Sequence, residues 1–190
     1  KTLERQEEIR GKDTSITGIP SGIADLDKMT AGWQKTDMVI IAARPAMGKT
    51  AFTLTLARNA ALRFGEAVAF FSLEMAAVQL VQRMVTSEAE LDAQKVRTGQ
   101  LADYEWEQLV SRIGSLSKAN IFIDATPALS VAALRAKCRR LKAEKNISMV
   151  VIDYLQLLQG DNAKNSNREQ EIAKISRNLK VIAKELDVCV

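Results

Sequence analysis

Histidine is absent from the 190 residues of this chain, and the only two cysteines are Cys138 and Cys189. The lack of histidine excludes a histidine general base, a Ser-His triad and most transition-metal sites. Two cysteines form neither a disulfide framework nor a zinc cluster, so both are expected to be reduced thiols in a cytosolic protein. Any chemistry must therefore use lysine, arginine, carboxylates or hydroxyls.

Long apolar runs are also absent. The longest runs, MVIIAA and MVVI, have the size of strands, whereas a membrane helix needs about 20 residues. The first residues, KTLERQEEIR, are charged and do not resemble a signal peptide. The chain is 47% hydrophobic, which is enough for a core in one domain, and its formal charge of +4 permits a polyanionic partner without requiring one.

Apolar strands alternate with amphipathic helices along the chain. The predicted strands are 37–43, 67–73, 120–124 and 148–153, and the predicted helices are 20–32, 49–64, 76–89, 102–118, 130–145 and 168–186. Strands that are apolar at nearly every position are buried on both faces, and strands separated by helices pair in parallel. The sequence therefore predicts an α/β fold with an open, mostly parallel sheet and a ligand site at the carboxyl ends of the strands.

Helical spacing predicts which residues face the core. The predicted inward residues are Ile23, Leu26 and Met29, then Val78, Val81 and Val85, and then Val131, Leu134, Cys138 and Leu141. Ser21 is the expected N-cap of helix 20–32 and Gly32 its end. Trp33 and Trp106 are expected to be packing residues.

The segment AARPAMGKTAF, residues 42–52, matches the phosphate-binding pattern G-x-x-x-x-G-K-[ST] except at its first glycine, which is Ala43. A strand enters this loop and a helix leaves it, so backbone N–H groups and the helix N-terminus would face a phosphate. Alanine fits if position 43 stays extended, because glycine is needed there only for backbone freedom. The alternative is a chance GKT in an exposed turn. The predicted ATP-binding loop consists of Ala43, Arg44, Pro45, Ala46, Met47, Gly48, Lys49 and Thr50.

Two acidic residues follow predicted strands. Asp153 ends SMVVID, where an acid would orient Mg²⁺ together with Thr50, although an ordinary acidic strand end is the alternative. Glu74 ends AVAFFSLE and would face the γ-phosphate and act on the attacking water if its strand neighbours that of the loop. A glutamate at a helix start is also favourable in itself, so spacing leaves these two interpretations of Glu74 equal.

Several segments, in order along the chain, closely resemble the motor domain of DnaB-type replicative DNA helicases. They are GIPSGIADLDKMTAGWQKTDMVIIAARPAMGKTAF, FFSLEM, LDAQKVRTGQL, VVIDYLQL and NREQEIAKISRNLKVIAKELDV. This resemblance, which covers nearly the whole chain, implies a RecA-like P-loop NTPase core and a ring of six subunits. It also implies Mg²⁺-dependent ATP hydrolysis that drives movement along single-stranded DNA and unwinding at the replication fork. The family tolerates alanine at the position of Ala43.

The resemblance also assigns roles to individual residues. Lys49 and Thr50 are implied to bind phosphate and metal, Glu74 to be the catalytic carboxylate, and Asp153 to be the acid on the metal side, partly through water. Arg83 matches a family arginine near the nucleotide, and a surface helix arginine is an equal alternative.

The resemblance divides the chain into 1–17, the end of a linker helix with its connecting loop, and 18–190, a partial RecA-like ATPase domain. The family has a helical domain before this region. After LDVCV it continues with a phosphate-sensing glutamine, a DNA-contacting loop and an arginine finger. We therefore expect the last strands of the sheet to be missing and ATPase activity of this polypeptide to be weak or absent. The implied partners are single-stranded DNA, a primase and a helicase loader, in the cytoplasm of a bacterium and near its nucleoid, without a membrane.

Two basic regions are candidates for nucleic-acid contact. Lys164 and Arg168 lie in or beside the loop 159–167, which follows the acid-bearing strand, and a flexible solvent loop is an equally good interpretation. Helix 130–145 carries six basic residues and one acidic residue, Glu144, a pattern that favours a solvated face over a contact with DNA or with another subunit.

Three other functions share parts of this pattern. A RecA-type recombinase or related ring ATPase would use the same loop and acids. A nucleotide-binding assembly module would bind nucleotide without turnover. A small-molecule kinase would need an arginine-rich lid, and the segment 154–168 is not basic enough to form one.

Overall fold

The computed structural model describes residues 16–159 and 167–190. Within these ranges the helices are α1 (Ala24–Thr30), α2 (Lys49–Phe64), α3 (Ala77–Ala89), α4 (Ala93–Thr98), α5 (Asp103–Leu116), α6 (Val131–Lys145) and α7 (Arg168–Leu186). The strands are β1 (Val68–Ser72), β2 (Ile121–Asp124) and β3 (Met149–Asp153), and a 3₁₀ turn covers Leu155–Leu157. Residues 1–15, which include most of the predicted linker-helix end and connecting loop, lie outside the described residues. None of the described helices has the length and apolarity needed to cross a bilayer.

The three strands form one parallel sheet in the order β2-β1-β3. Val68 pairs with Ile121 on one side and with Met149 on the other, so the carboxyl ends of all three strands lie at the same edge. Parallel pairing follows from the helices that separate the strands along the chain. The predicted α/β class, with an open parallel sheet and flanking helices, is confirmed.

Two short segments continue the sheet beyond β3. Cys189 bridges Met149 in parallel, and the Val39 N–H donates to the Val190 carbonyl at 2.8 Å. The segment 188–190 therefore lies between β3 and 37–39.

The prediction of a buried strand over 37–43 is wrong. Only 37–39 is hydrogen-bonded to the neighbouring segment, and within the described ranges 40–43 has no ladder partner. As a result Val39 is 37% exposed and Ile40 is 67% exposed. An apolar segment at the edge of a sheet is not buried by its composition alone, because burial requires a strand and a helix layer beside it.

Hydrophobic clusters cover both faces of the sheet. Val68 and Phe70 of β1 point to the face covered by α2 and α3, whereas Ala69 and Phe71 point to the face covered by α6 and α7. This alternation is the period of two of a strand, and it explains why β1 is buried at every position. The domain is thus a three-layer α/β/α arrangement.

The predicted inward face of α3 is wrong. Val78 is 77% exposed and Val81 is 46% exposed, whereas Leu80 and Met84 are buried. Both sets have helical spacing, but only one can face the sheet. Leucine and methionine remove more apolar surface from water than valine does, so their stripe occupies the core.

The first helix also differs from its prediction. Ile23 rather than Ser21 occupies the N-cap position, and Met29 is 85% exposed. The carboxylate of Asp27 accepts hydrogen bonds from the backbone N–H groups of Ser21 (2.7 Å) and Gly22 (3.1 Å). These bonds keep residues 21–22 in a turn, so the helix starts later than predicted. It ends at Thr30, because the next residue, Ala31, has a left-handed φ of 54°.

Three further expectations have clear outcomes. Trp33 is buried as predicted, whereas Trp106 is 59% exposed and is not a core residue. The short helix α4 was not predicted. The predicted face of α6 is confirmed, since Val131, Leu134 and Cys138 are buried and Leu141 packs against the same cluster.

Candidate functional site

The phosphate-loop segment forms a turn that leads into α2. The Met47 N–H donates to the Arg44 carbonyl at 3.2 Å, and Gly48 is the N-cap of α2. The φ angles of Ala46 and Gly48 are 63° and 83°, both in the left-handed region. Ala43 is not among the residues with positive φ, so its backbone does not require glycine. The free N–H groups of the first turn of α2 therefore face the end of this loop.

Lys49, Thr50 and Asp153 meet at one point, although Asp153 is far from the other two in sequence. The Thr50 hydroxyl donates to Asp153 Oδ2 at 2.6 Å, and Lys49 Nζ lies 3.2 Å from Asp153 Oδ1. Asp153 is only 1% exposed. β3 delivers this carboxylate because its carboxyl end reaches the edge of the sheet at which α2 begins.

One oxygen of Asp153 receives no hydrogen bond from the described residues. Oδ1 is buried and accepts no hydrogen bond within the described part of the chain; only the Lys49 ammonium approaches it, in an ion-pair contact rather than a hydrogen bond. Mg²⁺ takes oxygen ligands and is usually held by one or two carboxylates together with substrate phosphates. Thr50 and Asp153 fit that requirement. No cluster of three or more acidic or cysteine side chains that could hold a metal by itself occurs among the described residues.

Tyr154 is a site residue that sequence reasoning missed. Lys49 Nζ lies 3.9 Å from the centroid of the Tyr154 ring. The available signal was its position, directly after the acid that ends β3. Nothing in the sequence shows, however, that this ring lies against the lysine rather than against solvent.

A cavity of about 840 Å³ opens beside the loop and is lined by Glu74 and Arg83 as well as by Lys49, Thr50 and Asp153. The neighbouring-strand condition that we set for Glu74 is not met, because β3 and 188–190 lie between β1 and 37–39. Glu74 nevertheless lines the same cavity as the loop. Glu74 and Arg83 are both exposed, and neither side chain bonds to another described residue.

The two DNA-binding candidates have different outcomes. Lys164 lies outside the described residues. Arg168 hydrogen-bonds the Gln156 carbonyl and forms an ion pair with Glu171 at 2.5 Å. It therefore joins the start of α7 to the 3₁₀ turn, and these contacts occupy part of its hydrogen-bonding capacity.

The basic face of α6 is partly neutralised within the fold. Arg135 and Arg139 both pair with Glu185 of α7, and Lys137 pairs with Asp124 at the end of β2. The hydrogen bond from Arg135, followed by that from Arg139, lowers the pKa of Glu185 below its usual range. These contacts support the prediction of a solvated face.

Comparison with known proteins agrees with the resemblance seen in the sequence. The family model described as DnaB-like helicase C terminal domain matches residues 18–190. The replicative DNA helicase DnaB of Geobacillus stearothermophilus is 51% identical over 188 residues, which are 99% of this chain and 41% of that protein. The replicative DNA helicase DnaB of Rhodothermus marinus is 54% identical over 191 residues, 99% of this chain and 20% of that protein. The chain therefore spans less than half the length of these relatives.

Two solved structures are similar over the whole domain. One, an ATPase domain, superposes with a TM-score of 0.93 at 39% identity, covering 100% of this chain and 67% of that chain. A DnaB-like replicative helicase, whose structure was described together with its interactions with primase, gives a TM-score of 0.92 at 40% identity, covering 99% of this chain and 46% of that chain. With the family match over nearly all of its length, the chain belongs to the family of DnaB-like helicase C-terminal domains.

Proposed function

We propose that this chain is the motor part of a replicative DNA helicase, which binds Mg²⁺-ATP at the 43–50 loop and couples its hydrolysis to movement along single-stranded DNA. The observation that carries the proposal is the meeting of Lys49, Thr50 and the buried Asp153 at the carboxyl edge of the sheet. Family membership supports the same conclusion. In this division, 18–190 is the ATPase portion and 1–17 the end of a linker.

The residues around the cavity have different roles in hydrolysis. The loop N–H groups and Lys49 bind the phosphates, while Thr50 and Asp153 hold the metal. When bound, Mg²⁺ supplies positive charge that neutralises the β- and γ-phosphate oxygens. Glu74 orients the attacking water and accepts its proton, because its carboxylate lines the same cavity and has no partner among the described residues. Arg83 lies at that cavity and binds phosphate charge.

The proposed partners follow from the relatives rather than from this site. The similarity to a DnaB-like helicase described with primase supports a primase partner. A homohexamer, a helicase loader and a location in the bacterial cytoplasm near the nucleoid complete the proposal. Lys164 and Arg168 remain candidates for DNA contact.

Binding of a fluorescent ATP analogue to the 190-residue chain, with and without Mg²⁺, tests the site. We expect Lys49→Ala to weaken binding at least tenfold. Lys28→Ala, which removes a lysine that is 75% exposed and pairs with Asp25, is the matched control and should bind as the parent does. Equal affinity of the parent and Lys49→Ala would refute the proposed site.

Single-turnover cleavage of bound ATP tests the role of Glu74, since quenched samples reveal even slow hydrolysis. We expect Glu74→Gln to bind ATP normally and to cleave it about 100-fold more slowly than the parent, which is the low end for loss of a general base. An unchanged rate would remove Glu74 from the mechanism. Binding without any cleavage by the parent would not distinguish the weak activity expected of this polypeptide from a nucleotide-binding module without turnover.

A further inference from the structure

We propose that Tyr154 is a positioning residue, whose ring face holds the Lys49 ammonium over the phosphate loop. The inference rests on the proposed function, because it concerns the lysine that binds phosphate there. Tyr154 belongs neither to the loop pattern nor to the residues proposed to hold the metal.

The geometry is that of a close cation–π pair. Lys49 Nζ lies 3.9 Å from the ring centroid, well inside the distance of about 6 Å at which such pairs attract. The Lys49 side chain is only 26% exposed, so water screens the contact less than it would at the surface. Asp153 approaches the same ammonium at 3.2 Å. The lysine is therefore held by a carboxylate and by an aromatic face.

The position of the ring is fixed by the backbone around it. Tyr154 follows the last residue of β3, and its carbonyl accepts from the Leu157 N–H at 3.1 Å in the 3₁₀ turn. Leu155, the next residue, packs against the cluster under α6 and α7. The Tyr154 hydroxyl makes no hydrogen bond to another described residue. The ring, rather than the hydroxyl, is thus the part that acts on Lys49.

Nucleotide binding with Mg²⁺ would change the charge near Asp153 but would not change the ring. The carboxylate of Asp153 is the group proposed to face the metal, and a second cation near it weakens its hold on Lys49. The ring attracts the ammonium through its quadrupole, carries no net charge and keeps its position. A lysine side chain is long and loses rotamer freedom when it is fixed on a phosphate. Tyr154 reduces that cost by restricting the lysine before the phosphate arrives.

Affinity for the fluorescent ATP analogue in the presence of Mg²⁺ separates the ring from the hydroxyl. We expect Tyr154→Leu to weaken binding about three- to tenfold, the range of one cation–π contact, and Tyr154→Phe to stay within about twofold of the parent. Pentafluorophenylalanine at 154 keeps the size of the ring but reverses its quadrupole, so it should behave like leucine. The matched control is Tyr104→Leu, at the chain's other tyrosine, which is 67% exposed on α5 and should change nothing.

An NMR measurement tests the contact without nucleotide. In protein with ¹³C-labelled lysine, the ε-methylene protons of Lys49 should be shifted upfield by the ring current in the parent and in Tyr154→Phe, but not in Tyr154→Leu. The signal is assigned by its loss in Lys49→Arg. Absence of any shifted lysine signal in the parent would overturn the inference.

The two proposals fail in different ways. A parent that binds nucleotide with the same affinity as Tyr154→Leu refutes the role of Tyr154 and leaves the proposed function standing. A weakening that is equal for Tyr154→Leu and Tyr154→Phe assigns the effect to the hydroxyl and also refutes the inference. A parent that binds no nucleotide refutes the proposed function itself, and the inference with it.

Discussion

Removing the positive charge of Lys49 should destabilise the protein even without nucleotide. Asp153 is 1% exposed, and the Lys49 ammonium is the cation that lies beside its Oδ1. Lys49→Met keeps most of the apolar stem but leaves a buried carboxylate without its counter-charge. Removing one partner of a buried ion pair costs more stability than replacing both partners by apolar residues, because the remaining charge stays desolvated.

The size of the effect follows from the 3.2 Å separation of Lys49 Nζ and Asp153 Oδ1. At an effective dielectric constant of about 20, the Coulomb energy at that distance is roughly 5 kcal/mol. The Lys49 side chain is 26% exposed, so water reaches the pair and screens part of this energy. We therefore expect Lys49→Met to lower the free energy of unfolding by about 1–3 kcal/mol, below the usual range of roughly 3–5 kcal/mol for a fully buried pair.

Urea unfolding at pH 7, followed by tryptophan fluorescence, measures this change. The double variant Lys49→Met/Asp153→Asn is the decisive comparison, because the amide has the shape of the carboxylate without its charge. It should recover at least about 1 kcal/mol of the loss, and a double-mutant cycle extracts that coupling. Lys28→Met is the matched control: its pair with Asp25 is 75% and 94% exposed and should contribute less than about 0.5 kcal/mol.

Two results would refute this reasoning. If Lys49→Met is as stable as the parent, the carboxylate does not depend on the lysine. If the double variant is less stable than Lys49→Met, the loss comes from packing or from the hydrogen bond donated by Thr50 rather than from the uncompensated charge.

Three further predictions concern the core, the thiols and the link between α6 and α7. Leu134 is fully buried between α6 and the sheet, so Leu134→Ala should lower the free energy of unfolding by about 2–5 kcal/mol in urea, and a loss below about 1 kcal/mol would contradict the packing. Burial raises the pKa of Cys138 and of Cys189 to about 12, so Ellman's reagent at pH 8 should detect neither thiol in the folded chain and both in urea; rapid labelling without urea would contradict this. The hydrogen bond from Arg135 lowers the pKa of Glu185 in the folded chain, so the carboxylate stabilises the fold above its unfolded pKa of about 4.3 and loses that effect as the pH falls through its folded value. Glu185→Gln should thus be less stable than the parent at pH 7 by an amount that shrinks below about pH 4.3 in urea titrations, and a difference independent of pH would rule out this origin.

The proposed nucleotide site illustrates how much can be predicted from local sequence. The order strand, loop and helix around 42–52 predicted where Lys49 and Thr50 would lie, and an apolar strand ending in Asp153 predicted which acid would meet them. This works because parallel strands present their carboxyl ends at one edge of a sheet. The structure brings the three residues together within hydrogen-bonding or ion-pair distance.

The reason that we gave for placing Glu74 beside the loop is wrong. We expected its strand to neighbour the segment that enters the loop, whereas β3 and the segment 188–190 separate them. The order of strands in a sheet is decided by which helix layers pack together, and chain order does not encode it directly. Glu74 still lines the cavity beside the loop.

By itself, the sequence determined the fold class, the turn that leads into α2, the acid at the end of β3 and the buried face of α6. These features depend on local periodicity and on the ends of elements. Only the tertiary structure decided which apolar stripe of α3 is buried, why Ile40 stays exposed and where the Tyr154 ring lies. Each of these depends on what packs beside the residue. Two apolar stripes with the same spacing, or two orientations of one ring, are distinguished only by the residues that surround them. The physical reason is that burial and side-chain contacts are properties of pairs of elements, whereas periodicity is a property of one.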